Sequence, residues 1–240
     1  MNNIFANLNI PVENVEKPNQ DYIPSERKVL DSDLYTAVIK CAYSIESKGG
    51  ALGLVLDLVL KPEGQDDKNF THTYWITNRN KEVVYSTKDG KKHYLKGYLE
   101  ANSLFLALTG KSLQEQECRE LMTSAYDREQ GKMVAKQVNG FPALVDKTIV
   151  IGLLKTKQNK QALVNGSYEP TNEFVEINEV DKIFYLKDNK LFTHTELQSN
   201  LTEPEFFKIW LSKWQGKVND KFTPIMSANT GSSTVKLEIG

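Results

Sequence analysis

A mainly β protein with a few helices, a barrel or sandwich in outline, is the fold class that three stretches of the sequence predict. Leu52, Leu54, Leu56, Leu58 and Leu60 fall on every second position, a period that a strand gathers into one apolar face and a helix would scatter. Before them, Leu34 to Tyr43 sets Tyr35, Ala37, Ile39, Cys41 and Tyr43 against Thr36, Val38 and Lys40, and Ser47-Lys-Gly-Gly50 supplies the turn between the two runs. After them, Thr71 to Arg79 places His72, Tyr74 and Ile76 on one face and Thr73, Trp75, Thr77 and Arg79 on the other. The more polar face of this third strand therefore carries a large aromatic ring.

The remaining elements follow in order. Residues 1–33 are rich in Asn, Pro and Glu with weak periodicity, which predicts an extended N-terminal arm. Pro62 to Asn69 reads as a turn-like linker. Lys81 to Tyr85 and Lys91 to Leu95 flank Asp89-Gly90, a strong hairpin signal, so a basic hairpin tip is expected. Leu99, Leu104, Phe105 and Leu108 suit a helix from Tyr98 to Thr109, closed by Gly110 and placed as a plug at the bottom of a barrel. Ser112-Leu-Gln-Glu115 matches a capping box and predicts a further turn or two of helix.

Leu121 to Tyr126 and Met133 to Val138 form the next expected hairpin, turning about Glu129 to Lys132, and Thr148 to Lys155 is an apolar core strand. Gln158 to Tyr168 reads as a polar loop whose Asn165-Gly166 could also close a hairpin. Val180 to Leu186 and Leu191 to Thr195 pair over Asp188-Asn189. Pro204 opens an amphipathic helix with Phe207, Trp210, Leu211 and Trp214 at helical spacing, a stripe that reads as packing. Residues 216–240 read as a flexible tail, giving one domain over 34–215.

At 240 residues and net charge −1, the chain can bury a substantial core without disulfides, and bulk charge would not hold it to a polyanion. No apolar run approaches the roughly 20 residues of a membrane helix, and the first residues lack the basic and apolar regions of a secretory signal, so a cytosolic protein is expected. Cys41 and Cys118 read as reduced thiols.

Most motifs of chemistry fail on spacing. Thr109-Gly-Lys-Ser112 has the end of a phosphate-binding loop, but Phe105 stands where the first glycine is required and a helix precedes it. His72, His93 and His194 are too scattered for a zinc site, and no nucleophile elbow occurs. Asp31 with Asp33 and Asp66 with Asp67 sit in turn-like stretches that favour solvated acids. No cofactor or metal is expected, and a metal-dependent nuclease is kept only as an alternative.

The remaining signal is an interleaving of rings and cations. Between Thr71 and Tyr98, Arg79, Lys81, Lys88, Lys91, Lys92 and Lys96 face only Glu82 and Asp89, and Tyr74, Trp75, Tyr85, Tyr94 and Tyr98 lie among them. Single-stranded nucleic acid exposes flat bases along a regular negative charge, so aromatics can stack while lysines neutralise phosphate. The competing reading is that aromatic residues simply fit a pleated surface and that lysines solubilise a hairpin tip.

Four segments carry a family resemblance: Glu26-Arg-Lys-Val-Leu-Asp-Ser-Asp-Leu-Tyr-Thr-Ala-Val-Ile-Lys40, Tyr74-Trp-Ile-Thr-Asn-Arg79, Leu108-Thr-Gly-Lys-Ser-Leu113 and Asn178-Glu-Val-Asp-Lys-Ile-Phe184. Together they resemble single-stranded DNA-binding proteins of tailed bacteriophages, of the podovirus replication type, over about Glu26 to Trp214. The resemblance implies an OB-fold-like five-stranded barrel with additional hairpins, a non-catalytic role in phage DNA replication, recombination and repair, the host cytoplasm, and phage replication proteins or host RNA polymerase as partners. Many such proteins end in a strongly acidic tail, whereas Ser-Thr-Val-Lys-Leu-Glu-Ile-Gly240 is near neutral, so recruitment through a tail of that kind is not expected.

The expected DNA-binding set has Trp75 and Tyr74 stacking on bases, with Arg79, Lys81, Lys91, Lys92, Tyr94 and Lys96 along one wall. Lys155, Lys157 and Lys160 form the other wall, and Lys40 joins from the first strand. A protein-interaction module without nucleic acid is the first alternative.

Overall fold

The leucine run becomes strand β2 (Leu52–Lys61), paired along its length with β1 (Asp33–Glu46) and β3 (Lys68–Trp75) in a computed structural model that describes residues 29–127, 132–164 and 166–225. Residues 1–28 of the expected arm over 1–33, residues 226–240 of the expected tail over 216–240, and the turn at 128–131 lie outside the described residues. Leu54, Leu56, Leu58 and Leu60 all point into the main core.

The alternation read along β1 holds only to Ile39. Register shifts between Ile39 and Cys41, so Lys40 is the extra residue of a bulge. Beyond it the faces exchange, because one inserted residue flips every later side chain. Ala37, Ile39 and Ala42 belong to the main core, while Cys41, Tyr43 and Ile45 pack with Val55 and Val138 on the opposite side. That second cluster lies under the hairpin of β6 (Arg119–Asp127) and β7 (Lys132–Gly140), whose Gly140 pairs with Tyr43.

Strands β8 (Thr148–Val164) and β9 (Ser167–Lys187) form the longest hairpin. Its first half is core, with Ile149, Ile151, Leu153 and Phe184 buried. Its second half runs on past the end of β1 as a ribbon. The expected polar loop over Gln158 to Tyr168 is instead the tip of this hairpin, paired up to Val164 and again from Ser167 with Gly166 at φ 81° between them, as the alternative reading of a hairpin closed there had it. The ribbon leaves the core, so both faces are wet and the apolar alternation that marks a strand is lost. β11 (Val218–Asp220) runs parallel to Lys155–Lys157, taking the edge of β8 that β1 vacates. The chain from 216 to 225 is thus bound to the ribbon rather than a free tail, and Asn159 and Asn172 tie down the backbone of Thr223 and Ile225.

Asp188 and Asn189 both take the left-handed conformation, φ 50° and 57°, and turn β9 into β10 (Lys190–Phe192). The partner strand expected to run to Thr195 stops at Phe192. Thr193 instead caps a short helix α2 (His194–Gln198), exchanging hydrogen bonds with Glu196 in a capping box. Similarly, the box at Ser112 opens a single 3-10 turn, Leu113–Glu115, and no longer helix.

Sheet order is β10-β9-β8-β1-β2-β3, and among the described residues no bridge joins β3 to β10, so the sheet is not closed. Helix α1 (Lys96–Thr109) packs Ala101, Leu104 and Phe105 into the core and touches both β3 and α2, and α2 touches β10. Two helices therefore cover the seam that the strands leave open. Helix α3 (Phe206–Trp214) lies on the outer side of β8 and β9, with Trp210 buried against Gly152 and Phe184 and its Nε1 donating to Asp181 at 2.7 Å. The aromatic stripe is packing, as its spacing implied. Among the described residues no helix is long and apolar enough to cross a membrane.

Candidate nucleic-acid interface

Strand pairing decides the fates of the two neighbouring aromatics of β3. Tyr74 sits opposite Leu54 and shares its inward direction; it is 4% exposed and packs edge-on against His72, with ring centroids 4.4 Å apart. It cannot stack on a base from there, and its expected role in the interface is corrected. The apolar face of β2 and the register force its ring inward. His72 shares this burial, which together with the nearby Lys96 charge pushes its pKa down to about 4.

Trp75 faces the other way, opposite Gly53, and is 39% exposed. Glycine lets the ring lie close over the strand: a Cβ at position 53 would lie 3.1 Å from the indole ring, tighter than ordinary contact. The strand's end is clamped from behind by Gly97, in the first turn of α1, where a Cβ would fall 2.2 Å from the Trp75 carbonyl oxygen. A glycine early in a helix costs helix propensity, and that cost was the sequence signal for a close approach of backbones. The chain therefore leaves at Trp75, forms an excursion, and returns beside Trp75 as α1.

That excursion carries the cations. Asn78 organises its first turn, its side chain accepting from the amides of Asn80 and Glu82. Arg79 lays its side chain across Gly49 of the β1–β2 turn, and Lys81, at φ 62°, pairs with Glu46 at 3.4 Å. β4 (Val84–Ser86) and β5 (Lys92–Tyr94) then make the expected hairpin about Gly90, φ 80°. Lys91 pairs with Asp89 at 3.0 Å, and Lys96 with Glu100 one turn along α1 at 3.4 Å. Hydrogen bonds from Thr87 and Lys91 hold the Asp89 carboxyl below its ordinary pKa. Arg79, Lys88 and Lys92 have no ion-pair partner among the described residues.

Three rings on this excursion, and Tyr98 at the start of α1, join Trp75. Tyr85 stacks on His93 at 5.7 Å and Tyr94 on Tyr98 at 5.3 Å, with Tyr85 and Tyr94 about half exposed. The pairing of residues directly across the ladder, Tyr85 with His93, brings the first two together. Open ring faces and uncompensated cations thus share one surface feature, an arrangement that offers base stacking and phosphate neutralisation at once.

The proposed second wall is elsewhere. Trp75 lies at the Glu46 end of β1, whereas β8 passes Lys155 only beyond the Asp33 end, about 40 Å away along the strand at ~3.3 Å per residue. Each lysine there has acids beside it. Lys155 pairs with Glu176 at 3.2 Å and Asp31 at 3.8 Å, Lys157 with Asp220 at 3.3 Å, and Lys160 with Glu173 at 2.8 Å. Lys157 also lies over the rings of Phe174 and Phe222. Lys40 points from its bulge to Asp146 at 3.6 Å. These four do not join the Trp75 surface.

Comparison with known proteins adds little. No family model matches the chain, and no solved structure does. A phosphoribosylformylglycinamidine synthase subunit PurL of Prochlorococcus marinus is 27% identical over 197 residues, which cover 80% of this chain and 24% of that protein. The chain thus spans about a quarter of that relative's length, and a likeness so partial assigns neither family nor activity.

Proposed function

We propose that the chain is a non-catalytic binder of single-stranded DNA that coats the strand during phage DNA replication, recombination and repair in the host cytoplasm. The observation that carries this reading is the exposed Trp75 ring, seated on Gly53 beside a hairpin whose Lys88 and Lys92 are free of partners among the described residues. In this reading Trp75 and Tyr94 stack on bases while Arg79, Lys81, Lys88, Lys91, Lys92 and Lys96 track phosphates. Recognition through π faces and backbone charge is tolerant of sequence. The strand order around the α1-filled core is taken as an elaborated, open relative of the OB barrel, with phage replication proteins or host RNA polymerase as partners.

A gel shift with unlabelled-sequence oligo-dT, run beside duplex DNA of equal length, tests it. Binding to the single strand that weakens steeply with added salt is the expected result. Absence of any shift at low salt overturns the reading and leaves a protein-interaction module. Cleavage of labelled DNA in magnesium or manganese would overturn its non-catalytic part in favour of a nuclease.

A further inference from the structure

Where β3 and β10 fail to meet, the seam beneath α1 and α2 holds a cavity of about 500 Å³ between β3, α1, β9, α2 and α3. Its walls are mostly apolar, with Leu99, Ile183, Phe206 and Ile209 among the residues that line them. Three polar groups converge inside. Tyr74 and Tyr185, residues 4% and 6% exposed, line the cavity, and among the described residues neither hydroxyl has a protein hydrogen-bond partner. The third is the Glu100 carboxylate, close enough to both tyrosines to raise their pKa values further above the ordinary range than burial alone does. Two hydroxyls without a protein partner among the described residues, beside the buried and unpartnered Nδ1 of His194, leave polar atoms at this space that a ligand can pair.

The charge around the space selects the ligand's sign. Asp181 and Glu205 also line it, and Lys182 is the one lysine on its wall among the described residues. Asp181 Oδ2 is engaged by Trp210, and Glu196 spends both oxygens on the amides of Thr193, Glu205 and Phe206. Glu100 has only Lys96, whose side chain is 70% exposed. Burial outweighs the charges of Lys96 and Lys182, with Asp181 adding to it, and pushes the Glu100 carboxyl up. His194 Nδ1, buried at the same wall, is likewise without a partner among the described residues.

We propose that this cavity is a binding site for a small organic cation, a primary ammonium carried on an apolar or aromatic body. An ammonium brings three donors and no acceptor, which matches one carboxylate and two phenolic oxygens, while the body fills the apolar walls. An anion would meet Glu100, and a neutral hydrocarbon would leave the hydroxyls unpaired. The site is separate from the DNA contact, since Tyr74 and Trp75 face opposite sides of β3.

Isothermal titration of the full chain with tryptamine, tryptophol and indole-3-propionate tests the assignment. Tryptamine should bind saturably and at least about tenfold tighter than the alcohol, the scale of a hydrogen bond to a charged group. Glu100→Gln and Tyr185→Phe should each weaken tryptamine several-fold, and Ile209→Trp, at an exposed mouth position, should block it without touching the polar groups. Thermal melts confirm that the variants remain folded. Equal affinity for amine and alcohol, unchanged amine affinity in a folded Glu100→Gln, or no saturable binding of any of the three would overturn the proposal. None of these readouts involves DNA, so the outcome is independent of the function proposed above.

Discussion

The β4–β5 hairpin and the β8–β9 ribbon look alike in composition, each a two-stranded projection carrying lysines and aromatic rings, yet their electrostatics are opposite. On the ribbon, β9 runs its glutamates antiparallel to the lysines of β8, so Lys157 stands across from Glu176 and Lys160 meets Glu173. On the hairpin, His93 and Lys92 lie across from Tyr85 and Ser86, and no acid strand answers them. A count of lysines therefore says little about potential. What matters is which residues the register sets opposite them.

The comparison breaks most readily by reversing charge. Replacing Lys88, Lys91 and Lys92 together with glutamate should weaken oligo-dT binding by about a hundredfold or more at low salt and flatten the logarithmic salt slope by about 2. The same reversal at Lys155, Lys157 and Lys160 should leave DNA affinity nearly as it was. Equal losses from the two triples, in fluorescence titrations across salt, would return the ribbon to the interface.

A second expectation concerns the two faces of β3. Burial holds the folded pKa of His72 at about 4, below its ordinary 6.5. The unfolded chain binds that proton first, so stability present above pH 6.5 is lost as pH falls toward 4, by on the order of 3 kcal/mol. Urea unfolding from pH 7 to 4 should show this slope, and His72→Phe should flatten it.

Trp75→Ala comes next. Loss of one stacking ring should reduce affinity by about 1–3 kcal/mol while leaving the melting temperature close to wild type. Tyr74→Phe should leave both affinity and melting temperature close to wild type, because its ring stays in the core. If the tyrosine variant loses DNA and the tryptophan variant does not, the assignment of faces is reversed. The smallest effect is expected on the ribbon itself: Lys160→Gln breaks a fully exposed pair with Glu173 and should not measurably change stability.

Much of the fold was legible because local rules and tertiary packing agree. Leucine periodicity placed β2, Asp89-Gly90 and Asp188-Asn189 placed two turns, and Gly110 closed α1 at φ 73°. The misreadings fall where a strand leaves the core. Residues 158–164 lost their alternation once both faces met water, and Thr193, read as strand, turned out to cap a helix. The β1 bulge at Lys40 left no mark in the sequence either, since apolar residues flank it on both parities.

Sequence alone determined that the chain would build a leucine-faced sheet with a basic, aromatic excursion after its third strand, because period and turn chemistry are local properties of neighbouring residues. Only the tertiary structure decided that Trp75 and not Tyr74 faces outward, that the lysines of β8 are answered by acids of β9 and β11, and that two tyrosines and a glutamate share a cavity at the open seam. Each of these depends on which residues strand register and helix packing set side by side, and between paired strands a shift of one residue would have reversed the outcome.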